Sequence, residues 1–392
     1  SAMPWRAAVS FSEDARFDYD GQWAVQYRLG EKLREAAQPY GGMAKLADGL
    51  TVRDPHERQA GVEDMTSWLN SMGEEVATPV RDLFRMARRL RFNQARIDAH
   101  EDTIKTARWI AQERAPELAR LYYGVKSDTP TWDIRFKRSE DPAVIPEDVA
   151  IEDVKSVLSL MHPKLVKSFK ALEKQSAIYR PEGRGGGFTV PIIYSSKAKV
   201  DKGPFIHAPF DAGVSGLRTL AHEAAHGVHA IEAAGNGPLA SDAGWALSEA
   251  VALTAETLAL SGYRNALKDQ DFAMLVQQPA IYAFQRAIGE AQETVDLDKV
   301  WIKIIAEYYG STVSLRGYDA YWKRTVTTAS IAGYPIAYTL GWALAGHTAE
   351  RLQQRNKHTQ DAFLNILRKG GVIGFDEAAQ ELGVSSISEM LH

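Results

Sequence analysis

The chain contains no cysteine among its 392 residues. Disulfides and thiolate metal sites are therefore excluded, and any bound metal must rest on histidine, aspartate and glutamate. It also lacks an excess of either charge, with 46 Lys and Arg against 50 Asp and Glu for a formal net charge of −4. Without a basic surplus, neither nucleic acid nor an anionic membrane is expected as a partner. No internal repeat of about 20–50 residues is present, nor any low-complexity tract. One long uncharged run has to be weighed, the 22 residues from Thr325 to Gly346. That length is enough to cross a bilayer. Its Thr325, Thr327, Thr328, Ser330, Pro335 and Thr339, with glycine and tyrosine near the middle, read instead as a buried core segment. After Met3 come Pro4, Trp5 and Arg6 rather than an apolar stretch, so no secretory leader is read and the expected location is cytoplasmic.

What is present is an ordinary globular composition, 45% hydrophobic, 24% charged and 9% aromatic. A chain of this length buries a sizeable core without covalent staples. Helical periodicity dominates the N-terminal part. Met65, Trp68, Leu69, Met72, Val76, Val80, Leu83, Met86 and Leu90 recur at or near threes and fours. Gly73 and Pro79 are expected to divide this segment, and Pro116 to break a later helix. A polar stretch over residues 127–148, with Pro130, Pro142 and Pro146, reads as a loop. The character then changes. Arg184-Gly185-Gly186-Gly187 leads into Phe188-Thr189-Val190-Pro191-Ile192-Ile193-Tyr194, followed by a turn near Ser195-Ser196 and a short apolar run at Pro204-Phe205-Ile206. This predicts a small sheet over about 180–210. After Gly216 helices resume to the end, with breaks expected at Pro238, Pro279 and Pro335.

The segment Thr219-Leu220-Ala221-His222-Glu223-Ala224-Ala225-His226-Gly227-Val228-His229 carries the chemistry. Positions i and i+4 share a helix face, so His222 and His226 can aim two imidazoles at one Zn2+. Glu223 sits one residue round, within reach of a water at such a metal. Leu217, Leu220, Ala221, Ala224, Val228 and Ile231 supply the apolar stripe that this helix needs. Catalytic zinc takes three protein ligands and keeps a position open. Between His226 and Glu249 lie 22 residues, room for a loop and a return on an antiparallel helix. Glu249 is flanked by Leu247, Ala250, Val251 and Leu253, where an unpaired carboxylate is costly. Glu249 is favoured on spacing as third ligand, and Glu256, two turns on, is its rival.

The stretch Gly203-Pro204-Phe205-Ile206-His207, with Leu217-Arg218-Thr219-Leu220-Ala221-His222-Glu223, resembles the thimet oligopeptidase and oligoendopeptidase F family of zinc peptidases. Arg184-Gly185-Gly186-Gly187-Phe188-Thr189 is similar to that family's Arg-Gly-Gly-Ala-Phe segment. Ser248-Glu249-Ala250-Val251-Ala252-Leu253-Thr254-Ala255-Glu256 resembles its ligand-bearing stretch. The likeness is specific over about residues 180–260. It implies a mainly α, two-lobed helical zincin-type metallopeptidase with a small β-sheet beside the active-site helix. Residues 1–150 would form a helical N-terminal lobe. Residues 151–392 would form the catalytic lobe, holding the sheet, the active-site helix at about 216–232 and the C-terminal helices.

The resemblance further implies that His222, His226 and Glu249 are zinc ligands and that Glu223 shuttles the proton. His229 would lie near the site but off the metal. Ala225 stands where the family writes glycine, a small helix former that should be tolerated. The family also places a late histidine and tyrosines against the oxyanion. Two registers compete for these, Gly317-Tyr318-Asp319-Ala320-Tyr321 and the stretch from Tyr334 to Ala345. The second explains the long uncharged run, and it makes Tyr338 the first choice of oxyanion donor and Tyr334 the second. In that register Ser330 falls at the histidine's place.

The implied activity is zinc-dependent endopeptidase cleavage of oligopeptides, with peptide as the expected partner. Alternatives are a peptidase-like scaffold that binds without cutting, or a dipeptidyl carboxypeptidase using Arg316 or Arg324 for the terminal carboxylate. Arg184-Gly185-Gly186-Gly187 lacks the Gly-Lys-Ser/Thr context of a phosphate loop and reads as a structural turn. The Arg88-Arg89-Leu90-Arg91 cluster reads as a solvated helix face, and the nine tryptophans as core.

Overall fold

The computed structural model describes residues 32, 35–41, 55–89, 97–123, 143–183, 186–190, 192–194, 200–238, 240–292, 294–311, 314–323 and 332–391. The polar stretch up to residue 142, Arg184-Gly185, the Ser195-Ser196 turn, Arg324 and Ser330 lie outside them. So do Leu90 and Arg91 of the arginine cluster. The chain is mainly α, as expected. The N-terminal helices are α1 (Pro55–Asn70), α2 (Glu74–Arg89) and α3 (Glu101–Tyr123), followed by α4 (Glu147–Met161) and α5 (Leu165–Lys174). Gly73 does separate α1 from α2. Pro79 does not break the chain, a correction to the sequence reading. It sits inside α2, and the Glu75 carbonyl that its missing N–H would have bonded accepts the Lys32 ammonium at 3.2 Å. Helix α3 likewise runs through Pro116, whose neighbours Ala115 and Ala119 are wholly buried. Packing there overrides the local cost of proline.

The expected sheet is present and short. Strands β1 (Ile178–Tyr179), β2 (Phe188–Val190), β3 (Ile193–Tyr194), β4 (Val200–Lys202) and β5 (Phe205–His207) form two sheets. One has the order β1-β5-β2, with β1 parallel and β2 antiparallel to β5; β3 and β4 make a separate antiparallel pair. The larger sheet lies on α6 (Val214–Ala233), with Ile206 buried between them.

The second half continues with α7 (Trp245–Ala259), α8 (Arg264–Phe272), α9 (Gln278–Glu290) and α10 (Leu297–Tyr309). It ends with α11 (Tyr334–Gln353), α12 (Lys357–Lys369), α13 (Phe375–Glu381) and α14 (Ile387–Leu391). A π-helical turn, Ala273–Gln277, joins α8 to α9 without interruption, so the break expected at Pro279 is absent; Pro279 and Pro335 fall in the first turns of α9 and α11. Among the described residues there are two apolar clusters. One centres on α6, α7 and α11 and draws in α4 and α5. The other packs α1, α2 and part of α3 against α9 and α10, around Trp68, Trp301 and Trp322. The described part of the uncharged run is core, as expected. Pro335, Ile336, Ala337, Thr339 and Leu340 are buried where α11 lies along α7. Among the described residues, no helix is long and apolar enough to cross a membrane.

The α7–α11 contact is close because of Gly341. A Cβ there would lie 2.8 Å from the Ala250 nitrogen and 2.9 Å from the Glu249 backbone carbon. Backbone cannot rotate aside, so Gly341→Ala should force the helices apart and cost about 1–3 kcal/mol. A lowered urea midpoint at unchanged slope would show it. Gly346→Ala is the control. That glycine is exposed on the same helix with nothing within 4 Å of an added Cβ, so the change should be neutral or slightly stabilising.

Candidate active site

Helix α6 presents His222 and His226 on one face, and α7 returns antiparallel beside it to bring Glu249 opposite them. The His222 and His226 Nε2 atoms lie 3.2 Å apart. Glu249 Oε2 is 3.5 Å from His222 Nε2, and its Oε1 is 3.8 Å from His226 Nε2. One ligand atom from each of the three falls within 4.8 Å of the others, a group able to hold a metal ion. Two imidazole nitrogens and one carboxylate form a donor set suited to zinc with an open fourth position. The structure adds its own test of fit. Glu249 Oε2 is buried without a hydrogen-bond partner, an orphan that a cation would satisfy.

Glu256 is the residue whose role the geometry changes. Sequence spacing made it a rival ligand, yet its Oε2 meets the opposite nitrogen of His222, Nδ1, at 3.1 Å. Its other oxygen is 3.5 Å from Arg218 Nε. The carboxylate therefore fixes the imidazole tautomer that leaves Nε2 free for a metal. Ser248 Oγ stands 3.2 Å from His226 Nδ1 and serves the second histidine in the same way. Glu256→Gln is expected to weaken metal affinity about 10–100-fold while leaving the fold intact. Competition against a fluorescent chelator, with the melting temperature as control, checks this.

Glu223 is buried, and Thr189 Oγ1 of β2 donates to its Oε2 at 2.7 Å. Gly187 closes the other side. A Cβ at this position would sit 2.6 Å from Glu223 Cγ and 2.7 Å from its Oε1, so only glycine lets the strand lie against the carboxylate. Sequence reading missed Thr189 as the partner of Glu223. The signal available was its place two residues after Gly187, at the end of the glycine-rich run.

Tyr334 and Tyr338 come from the first turns of α11. The Tyr334 hydroxyl donates to Glu249 Oε1 at 2.5 Å, and the Tyr338 hydroxyl lies 3.4 Å from that of Tyr334. Trp245 stands edge-on to Tyr334 with ring centroids 5.1 Å apart. His229 is buried one turn beyond His226, with its Nε2 unpartnered. The competing register finds no place here. Tyr318 and Tyr321 stack on each other near Trp301 in the second apolar cluster. Arg316 is exposed and does not line the cleft.

The charges around the site oppose and balance one another. Burial alone would lower the pKa of His222, but Glu256, Glu249 and Glu223 around it raise it to about 9. Burial raises Glu249 to about 7 against the pull of His222. It also raises Glu223, lowers His229 to about 4 and holds His226 well below the usual histidine range. Both tyrosine hydroxyls are held protonated, by burial first and then by the Glu249 charge. These groups line a cleft of about 520 Å³. It runs from Gly187, Phe188 and Thr189 past the candidate ligands to Ser241 and Ala243 between α6 and α7.

Comparisons with known proteins bear on the fold. A solved oligoendopeptidase F matches with a TM-score of 0.73 at 19% identity, over 96% of this chain and 73% of that one. This chain therefore has the oligoendopeptidase F fold. PZ peptidase A, solved with an inhibitor, matches with a TM-score of 0.75 at 18% identity, over 98% of this chain and 76% of its own. Among curated proteins, the group B oligopeptidase PepB of Streptococcus agalactiae serotype III (strain NEM316) is 24% identical over 195 residues, 45% of this chain and 32% of that protein. The match thus spans about a third of the curated relative's length. No protein-family profile matches the chain. The resemblance is borne out at the level of fold, a mainly helical chain with a small sheet like that of the solved oligoendopeptidase F.

Proposed function

We propose that the chain is a zinc-dependent endopeptidase of oligopeptides. The observation that carries this is the convergence of His222, His226 and Glu249 in the wall of the cleft, with Glu223 held beside them by Thr189. His222, His226 and Glu249 would hold a Zn2+ ion, which supplies Lewis acidity and an open coordination position. Glu223 takes a proton from the attacking water and passes it to the leaving amine. Tyr338 donates a hydrogen bond to the oxyanion formed at the scissile carbonyl. Glu256, Ser248 and Tyr334 orient the three ligands. The division into an N-terminal lobe, residues 1–150, and a catalytic lobe, residues 151–392, belongs to the same proposal. Every residue given a role here lies in the second. A cytoplasmic location fits an oligopeptidase and is proposed with it.

The test is digestion of a peptide library read by mass spectrometry, with protein as purified, after chelation, and after Zn2+ is returned. Cleavage is expected to vanish on chelation and to come back with the metal. Cleavage that survives chelation sinks the reading. No cleavage with one zinc bound per chain points to the scaffold that binds peptides without cutting them.

A further inference from the structure

Among the described residues, the sheet that holds Thr189 against Glu223 has a second face that joins neither apolar cluster. Strand alternation puts Thr189 and Ile206 on the α6 side. Phe188, Val190, Phe205, His207 and, through the β1–β5 register, Tyr179 therefore share the opposite side. Large apolar side chains there stand in water: Tyr179 is 65% exposed, Phe188 55%, Phe205 43% and Val190 37%. They are ordered into a row. The His207 ring stacks on Phe188 with centroids 4.7 Å apart and planes 11° apart, and lies 5.6 Å from the Tyr179 ring. Scattered exposed apolar residues need no explanation, but a contiguous patch of this kind marks an interaction surface.

Continuity identifies the occupant. Phe188 belongs both to this row and to the wall of the cleft, next to the Gly187 and Thr189 that hold Glu223. We propose that this aromatic face is an exosite of the cleft, which docks an aromatic or large apolar side chain of the peptide substrate outside the cleavage site. From Phe188 to Tyr179 is two interstrand spacings, about 10 Å, which about three residues of extended peptide cover. The docked side chain is therefore several residues from the scissile bond. This inference rests on the peptidase reading and gives it a substrate preference.

The experiment compares quenched-fluorescent peptides that share one cleavable core. Each is extended at one end or the other by Gly-Gly-Phe-Leu or by Gly-Gly-Ser-Ser. The wild-type protein should favour the Phe-Leu extension at one end by about tenfold in kcat/KM. That ratio should fall toward one in Tyr179→Ser and in Phe205→Ser, and Tyr179→Phe should retain it. A wild-type ratio of one at both ends, or a ratio that the serine variants leave unmoved, overturns the exosite. Binding of the labelled Phe-Leu peptide to the Glu223→Gln protein is followed in parallel by fluorescence anisotropy, with Kd expected to rise about tenfold in Tyr179→Ser. This readout keeps the two claims apart. Binding that depends on Tyr179, without any cleavage by wild type, keeps the exosite and removes the peptidase. Cleavage with a ratio of one does the reverse. Sedimentation covers the other occupant: a dimer that Tyr179→Ser dissolves, with the ratio unmoved, would make the face a contact between copies and overturn the proposal.

Discussion

Replacing Glu223 with Gln should lower kcat/KM by about 10²–10⁴, the usual contribution of a positioned general base. The amide keeps the size of the side chain and can still pair with Thr189 Oγ1, which now meets Glu Oε2 at 2.7 Å. It cannot accept a proton. Neither Oε atom of Glu223 belongs to the metal-binding group, so bound zinc should stay at one per chain by elemental analysis. That combination separates a base from a ligand. Loss of the metal together with the activity would place Glu223 among the ligands, and substantial remaining turnover would remove it as the base. The close approach of Gly187 adds a second check. Gly187→Ala leaves the carboxylate in place chemically but drives a methyl to within 2.7 Å of Oε1, so turnover should fall without change of metal affinity.

Much of this site was legible because its chemistry is local in sequence. His222 and His226 are four residues apart, and helix geometry alone brings them to one face. The sheet was legible for a similar reason, since β-favouring residues between glycine and proline punctuation have few alternatives. Glu249 needed one further step, the cost of leaving a carboxylate among Leu247, Ala250 and Val251. Glu256 shows where such reasoning stops. Its spacing from Glu249 leaves it near the same helix face, and only the meeting of α6 with α7 decides which histidine nitrogen it reaches. Thr189 and Gly341 were beyond reach for the same reason, because each acts through a contact with an element far away in the chain. The proline breaks misplaced at Pro79 and Pro116 have a different cause. Pro79 and Pro116 carry a local penalty that sequence shows, while the compensations, a lysine ammonium on a freed carbonyl and a buried helix face, are tertiary.

Tyr338→Phe should lower kcat by about 10²–10³, the effect of removing one oxyanion donor, with metal affinity unchanged. Tyr334→Phe should do something else. The Tyr334 hydroxyl is already committed to Glu249 Oε1 at 2.5 Å, so its loss loosens the proposed third ligand and should weaken zinc binding about 10–100-fold. Both hydroxyls lie far above neutral pH in their ionisation, which burial and the Glu249 charge ensure, so each is a donor under working conditions. What distinguishes them is availability. Tyr338 has one long contact, 3.4 Å to Tyr334, and its ring lines the cleft. Kinetics at saturating zinc, together with a zinc titration of each variant, make the assignment. If Tyr334→Phe loses kcat at full metal loading while Tyr338→Phe does not, the roles are exchanged, and Tyr334 must leave Glu249 when substrate arrives. If both variants keep kcat, the oxyanion is held by a group outside α11.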